Sequence, residues 1–145
     1  MAKVVAYTDG CCLNNPGVGG WGALVIKGED RREIYGGNPE TTNNRMELEA
    51  VIQVLTRFGS EESIEIHTDS QYVKNGITGW IHKWKTNNWR TSDKKPVKNK
   101  DLWEALDSLC ASGNVTFHWV RGHNGHPENE RADQLANMGA APYVQ

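Results

Sequence analysis

Two short runs dominate this chain: VVAYTD at positions 4–9 and IEIHTD at 64–69. Both alternate in polarity, carry β-branched residues and end in an aspartate, so residues 3–8 and 63–68 read as strands. Between them lies a stretch long enough for a helix. Two strands joined through a helix run parallel, by a right-handed crossover. That arrangement carries Asp9 and Asp69 to the same end of one sheet. Acids gathered there must either be protonated at a cost or be neutralised by cations. A hard divalent ion such as Mg²⁺, which favours a few carboxylates plus waters and phosphate oxygens, is the natural partner.

The remaining pattern completes a mixed sheet. CCLNNPGVGG reads as a turn, Trp21 to Ile26 as a second strand, KGED as a hairpin turn and Arg31 to Tyr35 as a third strand. GGNPETT reads as a loop. Thr42 or Asn43 can cap a helix to about Phe58, with Leu48, Val51, Ile52, Leu55 and Phe58 as its apolar stripe and Glu47 in its first turn. After the 63–68 strand come two short helical patterns, about 70–76 and 79–87, then a basic loop. Asp101 to Cys110 reads as a helix, Val115 to Val120 as a fifth strand, and Pro127 to about Gly139 as a last helix, with Pro127 in its first turn. The class is α/β: a five-stranded mixed sheet flanked by helices on both faces. At 145 residues, 1–145 is expected to be a single domain.

Composition excludes several classes. Cys11, Cys12 and Cys110 are odd in number and two are adjacent, which is no disulfide framework, and no paired CxxC spacing supports structural zinc. A reducing interior fits them best. No run approaches a membrane span and the N-terminus lacks a signal-peptide core, so no membrane association and a cytoplasmic location are expected, with a monomer as the default state. The net charge of −2 conceals an asymmetry. Residues 83–100 hold seven basic side chains against one acid, Asp93, a local +6 beside −8 for the remainder. Such asymmetry, interleaved with Trp80, Trp84 and Trp89, suits a polyanion partner. On its own a charge run is more often a solvated face. Of the other Trp, Trp103 and Trp119 are expected in the core.

Four carboxylates carry the chemistry: Asp9, Glu47, Asp69 and Asp133, the last in the helical stretch ENERADQLA. Each has a bland alternative. Asp9 precedes Gly10 and can form a turn. Asp69 can cap the next helix. Glu47 can be a first-turn acid that stabilises its own helix. Asp133 can pair with Arg131 or a Lys. Taken together, they suit two divalent ions about 3.5–4 Å apart, the arrangement of a phosphoryl-transfer site. In GHNGHPEN, His123 lies among Gly122, Asn124 and Gly125, and a histidine on such a loop suits proton transfer near neutral pH. His126 directly precedes Pro127 and more naturally shapes the helix entrance.

YTDGCCLNNPGVGGWGA, TTNNRMELEA, TDSQYV, WIHKW, KPVKNKDLW and WVRGHNGHPENERADQLA together resemble bacterial ribonuclease HI, collinearly from Val4 to about Ala140. The resemblance implies a ribonuclease H-like fold. It also implies an endonuclease that hydrolyses the RNA strand of an RNA–DNA hybrid with Mg²⁺ or Mn²⁺, leaving 5′-phosphate and 3′-hydroxyl ends. By resemblance, Asp9 bridges two ions, Glu47 and Asp69 complete the sites, Asp133 holds the nucleophile-side ion, and His123 is the proton shuttle. Asn15, Asn43, Asn44 and Gln71 match positions that touch the hybrid's minor groove. Thr42 and Asn99 match a pocket for one DNA phosphate, and Trp80 lies near the DNA backbone. Lys85, Arg90, Lys94 and Lys95 belong to the basic substrate handle. The chain departs from the pattern at Glu40, where some members carry Arg, and at Cys11, where Ser is common. Two rivals remain. An integrase- or resolvase-like DNA nuclease shares the carboxylates but lacks the GHNGHPENERAD block. A catalytically inactive hybrid-binding module would lack a carboxylate, and all four are present.

Overall fold

The structure is a computed structural model and describes residues 3–14, 16–59, 63–91, 93–111, 113–120 and 127–144. A meander of β1 (Lys3–Cys12), β2 (Gly17–Lys27) and β3 (Asp30–Thr41) is followed by α1 (Asn43–Phe58) and β4 (Ser63–Thr68). Next, α2 (Gln71–Asn75) runs through a π-helical turn at Gly76–Trp80 into α3 (Ile81–Thr86). Then come α4 (Lys100–Leu109), β5 (Val115–Trp119), α5 (Pro127–Ala140) and a 3₁₀ turn at Ala141–Tyr143. The sheet order is β3-β2-β1-β4-β5. β1 lies parallel to β4, in register from Lys3 opposite Ser63 to Thr8 opposite Thr68. The crossover through α1 therefore does what the two apolar runs require.

Alternation sorts the side chains onto two faces. Val4 and Ala6 of β1, with Ile64 and Ile66 of β4, point at α1, whose Leu48, Val51 and Leu55 are buried against them. Each such fully buried aliphatic stabilises the fold by about 1.5–3 kcal/mol. Trp103 of α4 is fully buried in the same core. On the opposite face α5 packs across β1, β2 and β3. Glycine makes that approach close. A Cβ on Gly22 would lie 2.5 Å from the Ala136 backbone nitrogen, a distance no real contact adopts.

That packing corrects the sequence boundaries. Cys11 and Cys12 are strand, paired with Gly20 and Gly19. The segment from Gly36 to Thr41, expected as a loop, continues β3 beside the Gly17–Gly22 run of β2, with an irregularity between Gly17 and Gly19. These glycines mark close packing under helices, and local pattern cannot separate that from a turn. Trp119, expected in the core, is 37% exposed at the edge strand, where its indole N–H donates to the Asp69 carbonyl at 3.3 Å. No helix among the described residues is long and apolar enough to cross a membrane.

Candidate active site

β1 has β2 on one side and β4 on the other, and β4 stops pairing after Thr68 opposite Thr8. Beyond that rung the Gly10 N–H faces no strand. Glu47 fills the gap: its Oε1 accepts from Gly10 N at 3.0 Å, a buried bond between α1 and β1. Gly10 is what lets the helix come so near. A Cβ there would sit 2.5 Å from the Glu47 nitrogen and 2.5 Å from the Met46 carbonyl carbon. This is the switch point of the sheet, where the chain leaves the parallel neighbours β1 and β4 toward opposite edges and ligands bind beyond the strand ends.

Asp9, Glu47 and Asp69 each bring a carboxylate oxygen to within 4.8 Å of the others. They line an open cleft of about 400 Å³ together with Asp133, Asn43, Asn44, Ser70, Gln71 and Tyr72. Burial pushes the Asp9 carboxyl up from 3.8 to about 8, with the charge of Asp69 adding to the effect, Glu47's hydrogen bond opposing it, and Asp133 adding further. Glu47 is also raised well above its ordinary value, first by burial and then by the charges of Asp9 and Asp69. Its Oε2 is buried with no hydrogen-bond partner. An orphaned carboxylate oxygen costs stability unless something positive meets it. A set of oxygen donors alone, without imidazole or thiolate, fits hard divalent ions such as Mg²⁺ or Mn²⁺.

The bland readings of Asp69, of Glu47 and of an Asp133–Arg131 pair fail on geometry. Ser70, not Asp69, caps α2, its Oγ accepting from Val73 N at 3.1 Å. Glu47 stands in the second turn of α1, not the first, and is buried. Thr42 is the α1 cap, accepting from Arg45 N at 3.2 Å. Arg131 is engaged by Glu33 at 2.5 and 2.9 Å and by Gln134, which leaves Asp133 to face the cleft.

Asn43, Asn44 and Gln71 line the same cleft as the acids. Thr42 and Asn99 are brought together by a residue the sequence reading missed. Arg45 donates its backbone N–H to Thr42 and its Nη1 to Asn99 Oδ1 at 3.2 Å, while its guanidinium grips Asp101 at 2.8 and 3.0 Å. Asn99 is left-handed, with φ of 60°, which an Asn tolerates. Its Nδ2 donates to the Tyr72 hydroxyl at 3.1 Å, and Trp103 donates to the same hydroxyl at 2.9 Å. Tyr72 thus connects Asn99 to the acid cleft. Arg45 and Tyr72 carried no local signal, because their partners lie 27 to 56 positions away.

Trp80 is 40% exposed, at 5.7 Å from Tyr72 and 6.0 Å from Trp84, so the two Trp do share a face. Arg90, Lys94 and Lys95 are exposed. Lys85 is not a free cation, since it pairs with Asp107 at 3.3 Å. Asn15, His123 and His126 lie outside the described residues.

A five-stranded mixed sheet with carboxylates converging at its switch point defines a class of metal-dependent nucleases. Residues 1–141 match the family model for RNase H. The chain is 57% identical over 141 residues to the ribonuclease H of Cupriavidus metallidurans, covering 97% of each. The crystal structure of LC9-RNase H1, a type 1 RNase H with the type 2 active-site motif, superposes with a TM-score of 0.87 at 34% identity, covering 99% of this chain and 74% of that one. LC11-RNase H1, solved in complex with an RNA/DNA hybrid, shares the fold at a TM-score of 0.76 and 22% identity, over 98% and 99% of the two chains. The chain belongs to the RNase H family, an enzyme family of endoribonucleases.

Proposed function

We propose that this chain, as one catalytic domain over residues 1–145, cuts the RNA strand of an RNA–DNA hybrid and leaves 5′-phosphate and 3′-hydroxyl ends. The convergence of Asp9, Glu47 and Asp69 within 4.8 Å, around a buried Glu47 oxygen without a hydrogen-bond partner, carries the reading. Asp9, Glu47 and Asp69 would together hold two Mg²⁺ or Mn²⁺ ions, and Asp133 would help hold the one that supplies the nucleophile. When bound, the two ions neutralise the scissile phosphate and acidify the attacking water.

The protein's own contribution is placement. Gly10 and Glu47 fix the depth of the cleft, so that a phosphodiester enters at the end of β1 and β4. Asn43, Asn44 and Gln71, with Asn15, offer amide donors and acceptors to the minor groove, where the RNA 2′-hydroxyls lie. Thr42 and Asn99, held by Arg45, take a DNA phosphate, and Trp80 meets the neighbouring deoxyribose backbone. The exposed Glu40 weakens that pocket by repelling the phosphate. Arg90, Lys94 and Lys95, with Lys85 once it leaves Asp107, neutralise phosphates without regard to sequence. His123 moves a proton between the reacting water and solvent. The hybrid complex of the relative LC11-RNase H1 supports the choice of substrate. The enzyme acts as a cytoplasmic monomer without a membrane partner.

One assay tests this reading. A labelled hybrid is incubated beside matched duplex DNA and duplex RNA, with Mg²⁺ or with EDTA. Cleavage confined to the RNA strand of the hybrid and dependent on Mg²⁺ is expected. Comparable cutting of plain duplex DNA would overturn the reading in favour of an integrase-like nuclease. Binding of hybrid without cleavage would leave only a binding module.

A further inference from the structure

A second cluster of metal-ligating side chains lies outside the acid cleft, on the face of the sheet that α5 leaves open. Because α5 packs across β1, β2 and β3, the same face of β4 and β5 carries no comparable helix among the described residues. Glu65 and His67 stand two apart on β4, hence on one side. His118 of β5 pairs directly with His67 in the parallel register. The two imidazoles stack at 4.9 Å between centroids, 14° from parallel.

One carboxylate addresses both rings. Glu65 Oε2 lies 3.4 Å from His67 Nε2, and Glu65 Oε1 lies 3.7 Å from His118 Nε2. One ligand atom from each residue can be chosen so that all three fall within 4.8 Å of one another. Ligands on a tetrahedral zinc ion at bonds of about 2.1 Å stand roughly 3.4 Å apart. The two contacts, one to each carboxylate oxygen, lie near that spacing, and a small adjustment of the side chains would bring three ligand atoms onto one ion. Lys3 also pairs with Glu65. Lys3 is more than half exposed and can swing away.

We propose that Glu65, His67 and His118 form a site for a borderline transition-metal dication, with Zn²⁺ as the ion tested, separate from the acid cluster. Two imidazoles and one carboxylate select zinc-like ions over Mg²⁺, which prefers oxygen ligands and octahedral water. His118 is 44% exposed, which leaves the outer coordination position to solvent. The ion ties the edge strand β5 to β4 across the sheet. Competition from Lys3 for the same carboxylate makes it a moderate binder rather than a structural zinc centre.

The test uses the full chain with ZnCl₂ in excess Mg²⁺, read by competition with a chromogenic zinc chelator and by the visible spectrum of added Co²⁺. One equivalent of Zn²⁺ that Mg²⁺ does not displace is expected, equally in wild type and in Asp69→Asn. His67→Gln and His118→Gln should each weaken it by more than the roughly 10–100-fold that loss of an outer partner costs. His118→Gln changes an exposed strand position, so it remains informative even if His67→Gln folds poorly. Zinc affinity unchanged in His118→Gln would overturn the proposal. So would its loss in Asp69→Asn, its displacement by Mg²⁺, or its dependence on His123 and His126 instead.

Discussion

Asp9→Asn should make the protein without divalent ions more stable while removing its catalysis. Asp9 is 8% exposed, and its carboxyl is raised from 3.8 to about 8, first by burial and then by the charge of Asp69. Between those two values the native state holds a proton that the unfolded chain has released. The associated stability is fully present below pH 3.8 and is lost as pH rises through about 8. Each pKa unit is worth about 1.4 kcal/mol, so at pH 7 the shift costs the wild type at most about 4 kcal/mol relative to a neutral side chain. Asn is nearly isosteric and uncharged, and it also lifts the second-largest burden on Glu47. Urea unfolding in EDTA at about pH 5 and about pH 8 measures the effect. The midpoint of Asp9→Asn should exceed that of wild type, and the gap should widen with pH. Added Mg²⁺ should raise the wild type far more than the variant, because it binds only the native cluster. Asp93→Asn, on the exposed basic loop, controls for net charge and should show no such gap. A gap that stays constant with pH, or a wild type that is the more stable protein in EDTA at pH 8, would refute the reasoning.

Asp69→Asn should abolish hybrid cleavage with the circular dichroism spectrum unchanged, and wild-type turnover in Mg²⁺ would remove Asp69 from the metal set. Gly10→Ala should force α1 away from β1, costing about 1–3 kcal/mol of stability as overpacking does and lowering kcat with it; the thermal midpoint and turnover are read together, and no change in either would mean the close approach is unimportant. His123→Ala should lower kcat by about 10²–10⁴-fold with KM nearly constant, and a larger loss in His126→Ala would identify the other histidine. Neutralising Lys85, Arg90, Lys94 and Lys95 together should flatten the slope of log affinity against log salt by about 0.9 per lost phosphate contact, measured by hybrid-binding titrations. An unchanged slope would make the segment a solvated face.

Much of this arrangement was legible because the informative patterns are local. The β-branched runs ending at Asp9 and Asp69 and the stripe of α1 each lie within one element, and the structure places them as read, with Thr42 rather than Asn43 as the cap. What escaped depends on distant partners. Gly36 to Thr41 looked like a loop because Gly, Asn and Pro signal turns, yet they form strand where α5 and β2 need small residues. Trp119 looked like core by composition, but β5 is an edge strand with one thin face. Arg45 and Tyr72 looked ordinary because Asp101, Asn99 and Trp103 reach them only after folding. Asn15 and His123 lie outside the described residues and remain expectations.

The site follows from register more than from any single acid. Asp9 of β1 pairs with Gly22 of β2, whose missing side chain admits α5 and with it Asp133. Two rungs of parallel pairing before it, Tyr7 faces His67, and the same face then carries Asp9 and Asp69 beyond the last pair at Thr8 and Thr68. A slip of one residue in β1 would turn Asp9 into the core and bring Val4 and Ala6 out, since side chains alternate with a period of two. The apolar residues that α1 buries therefore hold the carboxylates in place as well as the fold together. The cluster itself opposes folding, because both Asp9 and Glu47 resist ionisation where they stand. A core of this kind can hold such a cluster because burial of many aliphatic side chains outweighs two raised carboxyls. The residual repulsion is also what makes the cleft receptive to cations: the energy that disfavours the empty cluster is regained when positive charge enters.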